Sequence, residues 1–296
     1  MMTQALLQKT IAHIARISGR GYWSGQPVTL SFLPANPGDG IVFRRVDLPG
    51  RPIVPALAKY RVETNLRTKL VYQGTTVEMV EHVMAALYGM GIDNCMVECN
   101  ACEMPAMDGS AMEMAIAIDQ AGTRTQAIRA KEVCIDAMLR VGDDRSGVEA
   151  IPAVGPNGAG LELRYHLDFG PTSVIPSSTS SYVLTPSEFL VNIAPARTFL
   201  SEHDARELQR MGVAQHVTYR DLIVFGNDGP IDNTLRFPDE CSRHKLLDLI
   251  GDLALCGARV RGTVIARRSG HNLNGRMAEQ LLNLHRAGQQ QLSHVA

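Results

Sequence analysis

The sequence predicts an α+β protein in two domains, and three observations carry that reading. Strand-like and helix-like segments mix in both halves of the chain without the strict alternation that builds a doubly wound parallel sheet. At 296 residues the chain exceeds the usual size of one domain. A polar stretch from Ala121 to Ala130, short of core residues, reads as a linker and sets the expected division at 1–122 and 123–296.

In chain order, Val28–Leu33 and Gly40–Arg44 alternate as strands around a Pro/Gly/Asn turn. A helix is expected from about Thr76 to Met90, because Val80, Val83, Met84 and Leu87 recur at helical spacing and Gly89 and Gly91 mark its end. Asp93–Cys99 reads as a strand, Pro105–Ser110 as a loop and Ala111–Gln120 as an apolar helix. The second half opens with strand-like pieces at Glu132–Leu139 and Gly160–Phe169. Turn-rich stretches, Val154–Ala159 and Gly170–Ser181, flank the latter. Phe189–Ile193 reads as an apolar strand and Ser201–Met211 as a charged helix. The clearest helix spans Asp239 to Gly257; a strand, Arg261–Arg267, and a helix from about Asn274 to Ala287 follow, with a frayed tail from Gln289.

Composition narrows the function classes. Hydrophobic residues at 45% and charged residues at 20% are ordinary for a globular chain. Lys plus Arg (29) against Asp plus Glu (30) leaves a formal charge of −1, so no general basic field exists to hold nucleic acid. No apolar run approaches the ~18 residues that span a bilayer, and Met1–Thr10 lacks the layout of a secretory signal. The expectation is a cytoplasmic protein, a monomer by default.

Six cysteines are too sparse for a disulfide scaffold, but Cys95, Cys99 and Cys102 form a C-x3-C-x2-C run. Iron–sulfur ligands normally sit on a loop that wraps the metal, whereas Cys95, Val97 and Cys99 alternate along one face of the expected strand. They read as small core residues.

Candidate chemistry begins on the Asp239–Gly257 helix. Leu246, Leu247, Leu249, Ile250, Leu253 and Ala254 fall on one arc, with His244, Asp248 and Asp252 one turn apart on the opposite side. Such a stripe is more often a solvated face, yet His and Asp at i, i+4 also suit a metal ion. Gly251, costly inside a helix, points to a close approach to the backbone. Glu81-His82 sit ~100° apart on the first helix and either flank one site or face solvent. Ser269-Gly270-His271 follows a strand end, where a His projects into a cleft or lies on the surface. Thr198, near Ala196-Arg197-Thr198-Phe199, ordinarily satisfies local backbone.

Taken together these segments resemble one family. Glu81-His82-x2-Ala85-Ala86-Leu87-x-Gly89-x-Gly91-Ile92-Asp93-Asn94, the loop Met107-Asp108-Gly109-Ser110-Ala111 and Ala196-Arg197-Thr198-Phe199 occur in order. Arg243-His244-Lys245-x2-Leu247-Asp248-x-Ile250-Gly251-Asp252-Leu253 and Ser269-Gly270-His271-x-Leu273-Asn274 follow. The set is similar to that of the UDP-3-O-acyl-N-acetylglucosamine deacetylases, zinc hydrolases of lipid A synthesis, from about Gln8 to Leu282. The resemblance implies two domains, each a small sheet layered on two helices, with the active site between them. It implies Zn2+ held by His82, His244 and Asp248, with Glu81 as general base and His271 as general acid oriented by Asp252. Thr198 would stabilise the oxyanion, Lys245 would place positive charge near the substrate's polar groups, and Phe199 and Phe169 would contact substrate. An insertion near 200–225 would line a passage for the acyl chain, and the partner would be a UDP-linked acylated amino sugar.

Departures from the family pattern fall on presumed substrate-facing positions. Gly19-Arg20-Gly21-Tyr22-Trp23-Ser24-Gly25 carries Tyr22 and Trp23 where Leu and His are usual. Asn65-Leu66-Arg67-Thr68 carries Arg67 where a cysteine is usual, a cation that favours an extra anionic group on the substrate. Asp168-Phe169-Gly170-Pro171 lacks the usual His, and Thr218-Tyr219-Arg220-Asp221 replaces a different loop sequence. Three readings follow: the UDP-sugar deacetylase, the same amidohydrolase chemistry on another acylated amino sugar, or a non-catalytic sugar-nucleotide-binding paralogue. Retention of Glu81 and His271 argues against the last, because a binding module needs neither base nor acid.

Overall fold

In a computed structural model, which describes residues 6–153 and 160–293, strands and helices combine in several small sheets and six α-helices, an α+β arrangement. The helices are α1 (Glu81–Gly89), α2 (Met112–Ala121), α3 (Pro186–Glu188), α4 (Glu202–Arg210), α5 (Glu240–Ala254) and α6 (His271–Ser293).

The first half builds a five-stranded sheet in the order Ala15–Arg20, Pro27–Pro34, Cys95–Cys99, Ile41–Arg45, Ile53–Pro55. Its central strand runs antiparallel to Pro27–Pro34 and parallel to Ile41–Arg45. The second half repeats this order as Leu139–Gly142, Gly147–Ile151, Arg259–Arg267, Leu161–Leu167, Ser178–Val183, with Glu132–Cys134 added beside Arg259–Arg267. Its central strand, too, has one antiparallel and one parallel neighbour. Cys95, Val97 and Cys99 point inward and are fully buried, alternating with half-buried Met96 and Glu98. The cysteines are core residues; Cys102 donates to the Thr76 carbonyl, and no metal-holding group forms around them among the described residues.

The helices meet where α1 lies against α5. A Cβ on Gly251 would stand 2.0 Å from the Glu81 carbonyl oxygen, so the glycine is what lets α1 seat there. Nearly every residue of α5 is buried, including the stripe His244, Asp248 and Asp252 that an isolated helix would have turned to solvent.

Several local expectations are corrected. Ala121–Ala130 is not a free linker: Thr123–Arg129 is a strand paired antiparallel with Leu7–Ile11, with Asn94 bridging the side chains of Gln8 and Gln126. Only Gln126 of that strand is buried, so a two-stranded edge that packs little against the core keeps a largely polar sequence. Phe189–Ile193 is a π-helical turn continuing α3, capped by Thr185 and started by Pro186, so its apolar run packs as a helix; the Phe189 ring fills the space beside Gly89. Thr75–Glu78 is a strand, and α1 begins only at Glu81, after Met79 takes a positive φ of 61°. Within Gly170–Ser181 the strand Ser178–Val183 has already begun. The last helix starts at His271 and continues past Gln289 to Ser293. Val154–Ala159 lies outside the described residues.

Candidate metal centre and active site

His82 enters from the first turn of α1, and His244 and Asp248 from successive turns of α5. Their nearest ligand atoms all lie within 4.8 Å of one another. The His82 Nε2 and His244 Nε2 atoms stand 3.6 Å and 3.4 Å from Asp248 Oδ1. Ligands ~2.0–2.2 Å from a tetrahedral ion are about 3.3–3.6 Å apart, so each nitrogen stands at a spacing from the Asp248 oxygen that fits zinc. The two imidazoles meet edge to face, 5.1 Å between centroids.

The surroundings suit two of the three groups, His244 and Asp248, to holding a metal. His244 Nδ1 donates to the Ala196 carbonyl at 3.1 Å, which leaves Nε2 as the electron-pair donor. Burial pushes the His244 pKa down to about 4, with Asp248 opposing, so the ring is neutral near pH 7. Burial pulls the Asp248 carboxyl upward, but the Lys245 ammonium at 2.7 Å prevails and holds it well below the usual range. Lys245 is raised in turn: burial opposes, but Asp248 favours its charge.

Glu81, 2% exposed, lies beside this cluster; burial raises its carboxyl above the usual range, with His271 and His82 opposing. One Glu81 oxygen accepts the Thr68 backbone N–H at 2.9 Å. His271, the first residue of α6, places Nδ1 2.9 Å from Asp252 Oδ2. Burial lowers its pKa, but adjacent Asp252 outweighs that and lifts it to about 9, so His271 is protonated at neutral pH. The chain reaches this position through Arg268, which adopts a positive φ of 47°, and Ser269, whose carbonyl accepts the Tyr165 hydroxyl at 2.5 Å.

Arg197 anchors the Ala196–Phe199 segment. It is buried, with its guanidinium on Glu240 at the start of α5 and on Asn233 and Thr234. That anchorage brings the Ala196 carbonyl to His244 and sets Thr198 and Phe199 into a cavity of about 1440 Å³. Glu81, His82, His244, Lys245, Asp248 and His271 line the same cavity, as do Phe169 and residues of α4. The Phe199 ring lies 6.1 Å from His244 and 6.2 Å from Phe169. Gly109, at φ 84°, sits where Tyr22, Asp221 and Thr198 converge and leaves no room for a Cβ.

Each site residue expected from the sequence is therefore in or against one cavity, Asp252 through its contact with His271. Two residues without a role in the sequence reading, Thr68 and Asn274, complete the set by donating to Asp252 at 2.5 Å and 2.9 Å. Both lay inside the quoted motifs, but nothing in their residue type marks a contact to a helix so distant in sequence. Arg67 has partners within the chain. It pairs with Glu78 at 3.1 Å and lies over the Trp23 ring at 4.8 Å, so its charge is already matched. Tyr22 is buried and donates to the Asp221 carbonyl, tying the 200–225 segment to the loop at Gly21, where Glu103 accepts two further N–H groups.

Residues 8–283 match the UDP-3-O-acyl N-acetylglycosamine deacetylase family. The chain belongs to this family. A UDP-3-O-acyl-N-acetylglucosamine deacetylase of Myxococcus xanthus is 39% identical over 278 residues, 93% of this chain and 86% of that protein. One of Trichormus variabilis is 37% identical, covering 96% of this chain and 99% of its own. One of Thermosynechococcus vestitus is 37% identical, with 94% of each chain covered. Among the described residues no helix is long and apolar enough to cross a membrane.

Proposed function

We propose that the protein is a zinc-dependent deacetylase. It removes the N-acetyl group of UDP-3-O-acyl-N-acetylglucosamine, releasing acetate, in the cytoplasmic phase of lipid A biosynthesis. One observation carries the reading: a two-His, one-Asp cluster shares a cavity with a buried carboxylate and a protonated imidazole. His82, His244 and Asp248 would hold the metal. Bound there, zinc supplies Lewis acidity, acidifying water and stabilising negative charge on the acyl oxygen.

The chain's own groups supply the rest of amide hydrolysis. Glu81 takes a proton from the attacking water, for which a buried carboxyl of raised pKa is suited. The Thr198 hydroxyl donates to the carbonyl oxygen as negative charge develops. His271 gives its proton to the departing nitrogen as the C–N bond breaks, leaving acetate and a free amine on the sugar. Asp252 keeps His271 protonated and correctly turned. Lys245 neutralises Asp248 and adds positive charge at the cavity wall. Phe199 and Phe169 present rings to the sugar or the start of the acyl chain, and α4 covers the apolar passage.

This reading places the site between two domains, 1–122 and 123–296, because α1 supplies Glu81 and His82 while α5 and α6 supply the remaining ligand and proton-transfer groups. The test is acetate release from UDP-3-O-acyl-N-acetylglucosamine together with elemental analysis. Near-stoichiometric zinc and turnover are expected; a zinc-loaded protein that releases no acetate at any acyl length would overturn the assignment.

A further inference from the structure

Thr68 is 1% exposed and lies just before the strand Lys69–Tyr72, in a part of the chain remote from α5. Two of its groups reach the two halves of the proton-transfer apparatus. Its backbone N–H donates to Glu81 Oε2 at 2.9 Å, and its hydroxyl donates to Asp252 Oδ1 at 2.5 Å. The other Asp252 oxygen accepts from His271 and from Asn274, each at 2.9 Å. An unbroken series of contacts therefore runs His271–Asp252–Thr68–Glu81, from the proton donor to the proton acceptor. The Thr68 carbonyl accepts from Val80, one residue before α1, so the threonine also fixes the approach to Glu81.

We propose that Thr68 is a positioning residue that sets the spacing between Glu81 and the Asp252–His271 pair. The role rests on the deacetylase reading. The physical reason is rigidity. N–H and Oγ1 are only three bonds apart in one buried residue, so the two carboxylates it holds cannot drift independently. α1 and α5 are separate helices, and Gly251 lets their backbones touch without any hydrogen bond between the two carboxylates. Without the hydroxyl, Asp252 Oδ1 loses a donor inside a fully buried environment. The Asp252–His271 pair is then free to turn away from the substrate nitrogen.

The test compares Thr68→Val and Thr68→Ala, which keep the N–H and lose the hydroxyl, with Thr68→Ser, which keeps both. Val is close to isosteric; Ala avoids pressing a methyl against a carboxylate should the Val variant fail to fold. Misplacing a proton-transfer group by up to about 1 Å lowers kcat by about 10- to 100-fold. That loss is expected in Val and Ala, with KM and zinc content unchanged and Ser close to wild type. A second readout does not need turnover. In 15N-histidine-labelled protein, the His271 Nδ1–H signal should be slow to exchange in wild type and Ser but broadened in Val and Ala. Wild-type kcat in the Ala variant, a Ser variant as slow as Val, or a changed KM at constant kcat would each overturn the proposal. If the wild type releases no acetate while the His271 signal still depends on the hydroxyl, the deacetylase reading falls and the positioning role stands.

Discussion

The two halves lay down the same five strands in the same order, each with its last strand inserted between two hairpins, yet they carry unequal shares of the chemistry. In the first half the preceding helix, α1, contributes Glu81 and His82 from its first turn alone. In the second half α5 contributes His244, Asp248 and Asp252 along its length. The exits from the two central strands differ as well. After Cys95–Cys99 the chain takes a long path to α2, and Asp108 on that path pairs with Arg236 and caps Ser110. After Arg259–Arg267 only Arg268, Ser269 and Gly270 intervene before His271 starts α6 beside Asp252. In the proposed mechanism the same scaffold thus hosts structure in one loop and the proton donor in its counterpart. Roles belong to particular side chains and loop lengths, and the strand order alone assigns none.

The largest expected effects fall on the two proton carriers, one from each half. Glu81→Ala and His271→Ala should each lower kcat by about 10²–10⁴-fold while retaining zinc. If either variant kept nearly full activity at saturating substrate, the division of labour between α1 and α6 would be wrong.

Next comes the contact that joins the halves. Ala at position 251 gains ~1 kcal/mol in helix propensity but drives a methyl into the Glu81 carbonyl, 2.0 Å away. Overpacking typically costs about 1–3 kcal/mol, so Gly251→Ala should lower the melting temperature and, by displacing the first turn of α1, lower kcat too. A variant as stable and active as wild type would show that the helices do not meet as described.

The pH profile separates the two carriers. Glu81 must be unprotonated, so activity falls as pH drops through its raised pKa. His271 must be protonated, so activity falls as pH rises through a value of at most about 9, since a bound cation lowers it further. Asp252→Asn removes the neighbouring negative charge and should move the alkaline limb toward lower pH. An unmoved limb would mean that another group sets it.

The smallest effect tests the first half's central strand. Cys95→Ala and Cys99→Ala remove buried sulfur from a packed sheet, costing roughly 1 kcal/mol each, as expected for losing a small buried group. Zinc content and kcat should not change. Loss of metal in either variant would reopen the cysteine-cluster reading.

Much of this was legible in the sequence, for identifiable reasons. The alternation of Cys95, Val97 and Cys99 exposed a core strand, and Gly251 inside an otherwise strong helix signalled a close approach to its backbone, which the Glu81 carbonyl makes. The i, i+4 spacing of His244 and Asp248 offered a candidate ligand pair, while His82, the proposed third ligand, needed the family resemblance because no periodicity links helices so far apart. Phe189–Ile193 was misread because a short apolar run fits strand or buried helix equally; Thr185 and Pro186 decide for the helix. Thr123–Arg129 looked like a linker because a two-stranded edge buries little. Thr68 and the positive φ at Met79 and Arg268 leave no trace in periodicity: their roles come from contacts across long sequence separations.

The central claim is that one metal site is assembled from both halves, and elemental analysis of His82→Ala and His244→Ala beside wild type tests it most directly. Wild type should carry close to one zinc per chain, and each variant should lose most of it, one by a change in α1 and the other by a change in α5. Unchanged zinc in both variants would contradict the account.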